Sequence, residues 1–438
     1  MPAPDVAALS ILAVTVGIAL GRPRIGAIQV HHSHAAIIGA SLCLVTGLVP
    51  LDLGWHALQV LARPLVTIVS LMVMTLVAER LGLFALLGRG IARAAGGSGR
   101  RLFTYLFFAG ALTGALFTND AAVLILTPLV CDLIREIETD QWRESNKLPY
   151  YFAVLYVANL VGALVISNPI NLIVSSIFGI SFLEYAAWMA LPALLSVFTS
   201  YFGLLWFFRD AIPERFEYSG RRDWPERNAA TLWICAATLL LTLVGFFTGN
   251  LAGIPLWAVA AAGALGLTAL YSTRPGSNLT AILRGVGWDV IVFVVGIFIV
   301  AYGLRAAGLA SQLGRLLQAL AGTSLSALSS VTAISAAVCS SVMNNHPTAN
   351  IMAMVIDDFG KPAAESKLLA LSALIGGDLG PKMLPIGSLA ALLWFRMLRD
   401  RGVTVSHRLY IRIGIPVTLC AVALSVTVLN LEYILWSR

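Results

Sequence analysis

The chain has 438 residues, of which 58% are hydrophobic and 12% are charged, and its formal net charge is +7. The charged fraction is about half that of an ordinary soluble domain, which excludes a water-soluble enzyme or binding module of usual composition. Because the basic residues gather in a few short segments between apolar runs, we interpret the positive charge as topological and exclude a nucleic-acid partner.

Apolar segments long enough to cross a bilayer as helices recur along the whole chain. The first lacks a basic segment before it, and Arg22 and Arg24 follow it, so we predict a retained helix rather than a cleaved signal peptide. The sequence predicts an all-α polytopic membrane protein whose ten spans are 5–20, 34–50, 65–87, 150–178, 184–208, 229–248, 256–272, 287–305, 367–395 and 409–430.

Two further apolar stretches, 102–135 and 325–356, are each interrupted by a polar segment. The interruptions read Phe117-Thr118-Asn119-Asp120 and Met343-Asn344-Asn345-His346-Pro347. Irregular backbone survives at membrane depth only where it is buried in protein or lines a watery cavity. We therefore predict a re-entrant hairpin at each stretch.

Loop charge predicts how these elements cross the membrane. With ten spans and two hairpins, the arginine-rich loops around residues 22–24, 89–101, 274–284 and 396–408 all fall on one side, as expected of the cytoplasmic side. The loops near 52–64 and 249–255 carry few charges and fall on the other side, and both termini lie outside.

This topology places the two halves of the chain in opposite orientations. We predict two inverted repeats, 1–208 and 229–438, joined by a cytoplasmic linker at 209–228. An alignment of Asn168-Pro169-Ile170 with Leu384-Pro385-Ile386 supports the repeat.

Polar breaks interrupt two of the predicted spans as well as the two hairpins. Ser167-Asn168-Pro169-Ile170-Asn171 lies in the span 150–178, and a Gly- and Pro-rich segment, 376–388, lies in the span 367–395. Broken helices expose helix ends and carbonyls, which together with amide and hydroxyl side chains form a polar site suited to a small hydroxylated or anionic solute. The predicted substrate-binding residues are Asn119, Asn168, Asn171, Asn345 and Ser388.

Four ionisable residues lie within these breaks: Asp120, Asp378, Lys382 and His346. An ionisable group inside a span is costly and marks a pathway by default, so we predict that these residues carry proton coupling. Asp378 and Lys382 are also four residues apart, and a purely structural pair on one helical face is the alternative.

Metal, cofactor and nucleotide chemistry find no support in the sequence. The five cysteines are far apart, so we predict no metal and no cofactor. No nucleotide-binding loop of the type G-x-x-x-x-G-K-[ST] occurs, so we predict a transporter and not an enzyme. An intramembrane protease using Ser388 and Lys382 is the alternative from outside the transporter class.

Three segments carry a resemblance to a known family. They are 117–128, 343–348 and, most specifically, 377–390, which reads Gly-Asp-Leu-Gly-Pro-Lys-Met-Leu-Pro-Ile-Gly-Ser-Leu-Ala. In these segments the chain resembles the ArsB-type arsenite and antimonite efflux permeases, and Asn159 and Asn168 extend the likeness. His346 and Pro169 depart from the pattern, which is expected to carry an apolar and an aliphatic residue there.

The resemblance implies efflux of trivalent metalloid, arsenite or antimonite, across a bacterial or archaeal cytoplasmic membrane. It further implies proton-coupled or electrophoretic transport by alternating access, with the permease working alone or with a soluble ATPase subunit, and it leaves the oligomeric state open. A sodium-coupled carboxylate transporter and a sodium/proton antiporter of the same superfamily are the alternatives.

Overall fold

The chain folds almost entirely into helices. The computed structural model describes residues 4–21, 23–25, 28–137, 142–217 and 229–436, with all side chains in these ranges except those of residues 24, 25, 28, 29 and 119–121. The strands in these ranges form one ribbon, with two residues in each strand. The predominance of helices confirms the predicted class of an all-α polytopic membrane protein.

The first half of the chain contains eleven elements in the described ranges. They are α1 (Pro4–Gly21), β1 (Arg24–Ile25), β2 (Ile28–Gln29), α2 (His32–Val45), α3 (Leu51–Leu81), α4 (Leu83–Ala95), α5 (Gly99–Leu116), α6 (Asn119–Ile137), α7 (Glu144–Val157), α8 (Pro169–Ile177) and α9 (Phe182–Phe207).

In the second half, all regular elements in the described ranges are helices. Its elements are α10 (Ala229–Leu251), α11 (Leu256–Ser272), α12 (Leu279–Gly285), α13 (Trp288–Ala306), α14 (Leu309–Ala321), α15 (Leu325–Met343), α16 (Asn345–Asp358), α17 (Ala363–Leu379), α18 (Leu389–Arg399) and α19 (His407–Trp436). Short 3₁₀ turns lie at Val165–Ser167, Gly380–Lys382 and Pro385–Gly387.

The order of helix types occurs twice along the chain. In each half, long helices lead to a short amphipathic helix (α4 or α14), a tight helix pair (α5–α6 or α15–α16), a broken helix (α7–α8 or α17–α18) and a final long helix (α9 or α19). The packing partners exchange between the halves: α3 packs on α11 and α13 on α2, while α6 packs on α18 and α16 on α8. Such an exchange is the pattern of a pseudo-twofold relation. The orientation of its axis in a membrane, and with it the inverted repeat, stays a prediction.

Contacts between loops sort the loops into two ends of the bundle. At one end, Gly97 O accepts from Phe216 N (2.8 Å), and Arg401 O accepts from Arg135 Nη2 (3.1 Å). At the other end, Lys367 Nζ binds Glu184 Oε1 (2.7 Å). The side of the membrane on which each end lies stays a prediction. Residues 218–228 of the predicted linker lie outside the described residues.

Seven helical segments in the described ranges are long and apolar enough to cross a membrane: α1, α3, α9, α10, the run α12–α13, α15 and α19. The sequence predicted ten spans. Two of the ten, at α2 and α11, are helices of fewer than eighteen residues, and another two are divided at the broken helices. The helix α15, which the sequence assigned to a hairpin, is among the seven.

Two expectations about helix boundaries were wrong. The predicted loop at 52–64 is helical, because α3 begins at Leu51 and continues through Arg63 and Pro64. The helices α4 and α14 were not predicted; α4 buries Phe84, Gly88 and Ala92 on one face. Apolar residues spaced three and four apart would have indicated both helices.

Backbone approach between α15 and α17 is unusually close. A Cβ atom added at Gly376 would collide with the carbonyl oxygen of Ala333, and one at Gly380 would collide with that of Ala337. Only glycine permits this approach. The tight contact fixes the residues after Gly376 against the second helix pair.

Candidate functional site

The two broken helices unwind in the same way. Leu164 and Leu384 are extended, a 3₁₀ turn follows each of them, and Asn168 and Ser388 then begin α8 and α18 as N-caps. The Asn168 side chain accepts from Ile170 N (3.3 Å), and that of Ser388 accepts from Ala391 N (3.1 Å). The structure thus matches Asn168 with Ser388, one helical turn beyond the Leu384 that the sequence alignment had chosen.

Asp378, at the end of α17, is fully buried and is held by the first broken helix. Its Oδ1 accepts from Asn168 Nδ2 (2.7 Å), while its Oδ2 accepts from Gly162 N (3.2 Å) and Asn171 Nδ2 (3.4 Å). All three partners are donors, so the carboxylate acts only as an acceptor here. A protonated Asp378 would keep acceptor sites for these donors but would lose the charge that strengthens their hydrogen bonds.

Lys382 is also buried, with a side chain that points toward α7 and α9. Its Nζ donates to Ser200 Oγ (3.3 Å) and lies 5.2 Å from the centre of the Tyr156 ring. No direct ion pair joins Lys382 to Asp378 in the described structure, because the chain between them passes into the 3₁₀ turn Gly380–Lys382. The alternative of a structural pair on one helical face is therefore wrong.

A small pocket lies between the tip of the second helix pair and the unwound part of the second broken helix. It is lined by Asn159, Asn344, Asn345, His346, Pro381, Ser388 and Leu389. Across it, Asn159 Nδ2 donates to Ser388 Oγ (3.2 Å). The pocket offers about 10 Å³ to a water-sized molecule, which is room for one water. Two predicted binding residues, Asn345 and Ser388, therefore meet here.

The turn that forms this tip depends on a strained asparagine. Asn344 has φ = 79°, a backbone conformation that residues other than Gly rarely adopt. Its side-chain oxygen accepts from His346 N (3.2 Å), and its carbonyl accepts from Thr348 Oγ1 (2.8 Å). The turn thus directs the start of α16 into the pocket.

His346 connects the pocket with the ends of α2 and α13. The His346 ring is 2% exposed, and its Nδ1 has no hydrogen-bond partner in the described structure. It stands edge-on to Phe293 at 5.8 Å, and His32 stands edge-on to the same ring at 5.2 Å. His32 Nε2 in turn lies 3.4 Å from Asp289 Oδ2. The proton-coupling role of His346 stays a prediction.

The tip of the first helix pair is described only in part. The backbone of α6 begins at Asn119, but the side chains of Asn119 and Asp120, predicted for binding and proton coupling, lie outside the described residues. Phe117, just before them, is buried against Phe84 at a ring distance of 5.4 Å.

Sequence reasoning missed four groups at this site. Gly162 supplies a backbone N–H to Asp378, Ser200 and Tyr156 surround Lys382, and Asn159 faces Ser388 across the pocket. Asn159 was visible as a polar residue in an apolar run. The others carry no such mark, since a backbone donor and a helix-buried Ser or Tyr resemble ordinary packing. No group of three or more metal-ligating side chains occurs among the described residues.

Comparison with known proteins identifies the family. The family model of the arsenical pump membrane protein, ArsB, matches residues 8–436. The arsenical pump membrane protein of Escherichia coli strain K12 is 34% identical over 404 residues, which cover 91% of this chain and 93% of that protein. The Yersinia enterocolitica protein of the same name is 33% identical over 430 residues, covering 97% and 98%.

Two solved structures share the fold. The YdaH transporter of Alcanivorax borkumensis has a TM-score of 0.56 at 16% identity, with 98% of each chain covered. MtrF of Neisseria gonorrhoeae, described with a class of antimetabolite efflux pumps, has a TM-score of 0.54 at 11% identity, covering 98% of this chain and 94% of that one. These two likenesses concern the fold alone, whereas the match along residues 8–436 shows that the chain belongs to the ArsB family of arsenical pump membrane proteins.

Proposed function

We propose that this protein exports trivalent metalloid, arsenite or antimonite, from the cytoplasm by exchange for protons. The helix pairs α5–α6 and α15–α16 enter the membrane as re-entrant hairpins in two inverted repeats. Together with the two broken helices they move as a transport unit against the remaining helices, which gives alternating access. Membership of the ArsB family and the names of the relatives support the substrate class.

The observation that carries the proposal is the position of Asp378. This carboxylate belongs to the second broken helix, yet its three hydrogen-bond donors all belong to the first. Protonation of Asp378 removes the charge that strengthens the hydrogen bonds from Asn168 and Asn171, so it loosens the contact between α17 and α8. A single proton can thereby bias the relative position of the two halves, as a coupled transporter requires.

The pocket between Asn159, Asn345 and Ser388 provides groups suited to the substrate. At neutral pH arsenite is an uncharged trihydroxide, which amide and hydroxyl side chains can bind by donating and accepting hydrogen bonds without a charge clamp. The volume of the pocket is too small for this solute. The pocket must therefore widen to admit the substrate during transport.

Uptake of arsenite into everted membrane vesicles tests the proposal. With an acidic lumen and no ATP, wild-type vesicles should accumulate arsenite, and Asp378→Asn vesicles should not. Asp400→Asn is the matched control, because Asp400 lies exposed just after α18 and makes no side-chain bond in the described structure. Equal accumulation by wild type and Asp378→Asn would contradict the proton role.

The same vesicles separate the alternatives. A sodium-coupled carboxylate transporter would require Na⁺ for uptake, and a sodium/proton antiporter would move Na⁺ with pH but without metalloid. Accumulation of arsenite that appears only on addition of ATP and a soluble ATPase would assign the energy source to a partner subunit. The wild-type protein is expected to accumulate arsenite without Na⁺, without ATP and without a soluble ATPase subunit.

A further inference from the structure

A second and larger cavity lies beside α8 and shares no lining residue with the pocket described above. Its volume is about 310 Å³, and it opens between α3, the end of α8 and the segment that joins α10 to α11. The polar groups that line it include Arg63, Thr67, Ser175, Ser181 and Asn250. None of these five residues has a place in the proton-coupling site.

Arg63 gives this cavity a cation. It is exposed in the middle of α3, and its guanidinium forms no ion pair within the part of the chain that the structure describes. An unpaired guanidinium presents five N–H donors to any solute that enters. An arginine whose role is to form an ion pair within the protein would have a carboxylate partner, and Arg63 forms no such pair in the described ranges.

Ser175 gives the cavity a buried hydrogen-bonding group. The residue is 3% exposed, and among the described residues its hydroxyl has no hydrogen-bond partner. A buried hydroxyl without a partner is costly, and a group that faces a cavity obtains its partner from what occupies the cavity. Arg63 thus offers donors on the exposed side of the cavity, and Ser175 offers a donor on its buried side, which we call the floor.

The cavity lies next to the Asp378 site. Val165 and Leu172, which flank Asn168 in the broken helix, form part of its wall. Ser175 follows Asn171 by one helical turn, and Asn171 donates to Asp378. One turn of helix spans about 6 Å, so the floor of the cavity is within one side-chain length of the coupling site.

The lining segments also share one face. The first half of α3, the α8–α9 connection and the α10–α11 connection all lie at or next to loops that the predicted topology places outside the cytoplasm. We propose that this cavity is the outward-facing vestibule of the transporter, where the hydroxyl oxygens of the exported metalloid acid accept hydrogen bonds on its way out. Arg63 is its cation and Ser175 its deepest donor. The proposal rests on the proposed direction of transport.

Chemical labelling of Ser175→Cys tests the location and the charge of the vestibule without transport. Right-side-out vesicles are treated with membrane-impermeant methanethiosulfonates, one anionic and one cationic, in a parent carrying Cys420→Ser. Ser272→Cys, exposed at the opposite end of the bundle, is the control for sidedness. Ser175→Cys should react from outside and Ser272→Cys only in everted vesicles; the reverse result would overturn the location.

The charge of Arg63 should appear in the ratio of the two labelling rates. A unit charge on the order of 10 Å from the thiol changes the ratio of the anionic to the cationic labelling rate by about fourfold in water. Arg63→Gln should remove this preference, whereas Arg284→Gln, an exposed charge on the predicted cytoplasmic side, should not. An equal ratio with and without Arg63 would overturn its role.

Binding is tested with arsenite itself, loaded into the lumen of everted vesicles as a product inhibitor of uptake. In Arg63→Gln and in Ser175→Ala, the lumenal concentration for half-inhibition should rise several-fold, while the KM for arsenite outside the vesicles stays unchanged. Unchanged half-inhibition in both variants would overturn the vestibule. Absence of arsenite uptake in the wild type would instead overturn the proposed function, and the labelling would still decide the vestibule.

Discussion

Replacement of Asp378 by Asn is the most informative perturbation of this protein. The new side chain keeps the shape of the carboxylate and one acceptor oxygen, which can still accept from Gly162 N and Asn171 Nδ2. Its NH₂ group then faces Asn168 Nδ2, which lies 2.7 Å from the present oxygen. Two donors would meet in a buried site.

The cost can be worked out from these contacts. The variant loses one hydrogen bond to a charged group, worth about 1.5–3 kcal/mol, and leaves buried donors unsatisfied at about 1–3 kcal/mol. Asn168 cannot simply rotate its amide, because its oxygen caps α8 through Ile170 N. We therefore expect Asp378→Asn to be destabilised by about 2.5–6 kcal/mol and to have lost arsenite export.

A double variant separates hydrogen bonding from charge. When Asn168→Asp is combined with Asp378→Asn, the amide introduced at position 378 can donate to the carboxylate introduced at position 168. The other oxygen of that carboxylate still caps α8, since Asp is a good N-cap. Thermal unfolding of the purified proteins in detergent should give wild type and the double variant similar stability, with Asp378→Asn below both. Vesicle uptake is measured on the same preparations.

The outcome that would refute the reasoning is specific. If Asp378→Asn unfolds at the wild-type temperature, the three hydrogen bonds do not hold the two broken helices together. If the double variant is as unstable as the single one, the Asn168 contact is not the cause. Asp400→Asn should match the wild type in both assays.

Three further predictions concern packing, the pocket and the cation. Gly376→Ala should lower the free energy of unfolding by about 1–3 kcal/mol because its methyl group meets a backbone carbonyl of α15, whereas Gly377→Ala, with ordinary contacts, should cost less; detergent melting temperatures compare the two. Asn159→Ala and Ser388→Ala should each raise the KM for arsenite, and a double-mutant cycle of the binding energies should show coupling of about 0.5–1.5 kcal/mol; strict additivity would contradict their contact. Lys382→Met should insert and fold yet fail to accumulate arsenite, and wild-type uptake would remove this cation from the mechanism.

The polar residues of the site could be predicted because each one stands out against an apolar background. Asn168, Asn171, Asp378 and Ser388 interrupt spans that would otherwise be uniformly hydrophobic, and the energetic cost of a polar group at that depth makes the interruption informative. The structure brings the first three into direct contact and places Ser388 in the pocket.

The contacts between these residues could not be predicted in the same way. Lys382 lies four residues after Asp378, a spacing that pairs them on an α-helix. The 3₁₀ turn at Gly380–Lys382 redirects the side chain to Ser200 and Tyr156. The twist and rise per residue change within one turn there, and periodicity arguments do not apply.

Arg63 shows the opposite limitation. The sequence placed residues 52–64 in a loop between two predicted spans, and an arginine in such a loop does not by itself indicate a site. In the structure Arg63 lies in the interior of α3 beside Pro64 and lines a cavity. Its position in a helix that lines a cavity, and not its residue type, makes Arg63 a candidate site residue.

The pseudo-twofold arrangement is symmetric in its backbone and asymmetric in its chemistry. Where the first broken helix has Ala158 and Gly162, the corresponding positions of the second have Asp378 and Lys382. Among the described side chains, the first half contributes amides and a backbone N–H to Asp378, and the second half contributes Asp378 and Lys382 themselves. If the two halves exchange conformations during transport, this contact cannot be reproduced in the exchanged state, because no carboxylate stands at position 158 to accept from the residues around 382. The two states therefore differ in energy by the hydrogen bonds of Asp378, and protonation of that one carboxylate reduces the difference. If Asp378 carries the proton as we propose, this carboxylate links a proton to the direction in which the site opens.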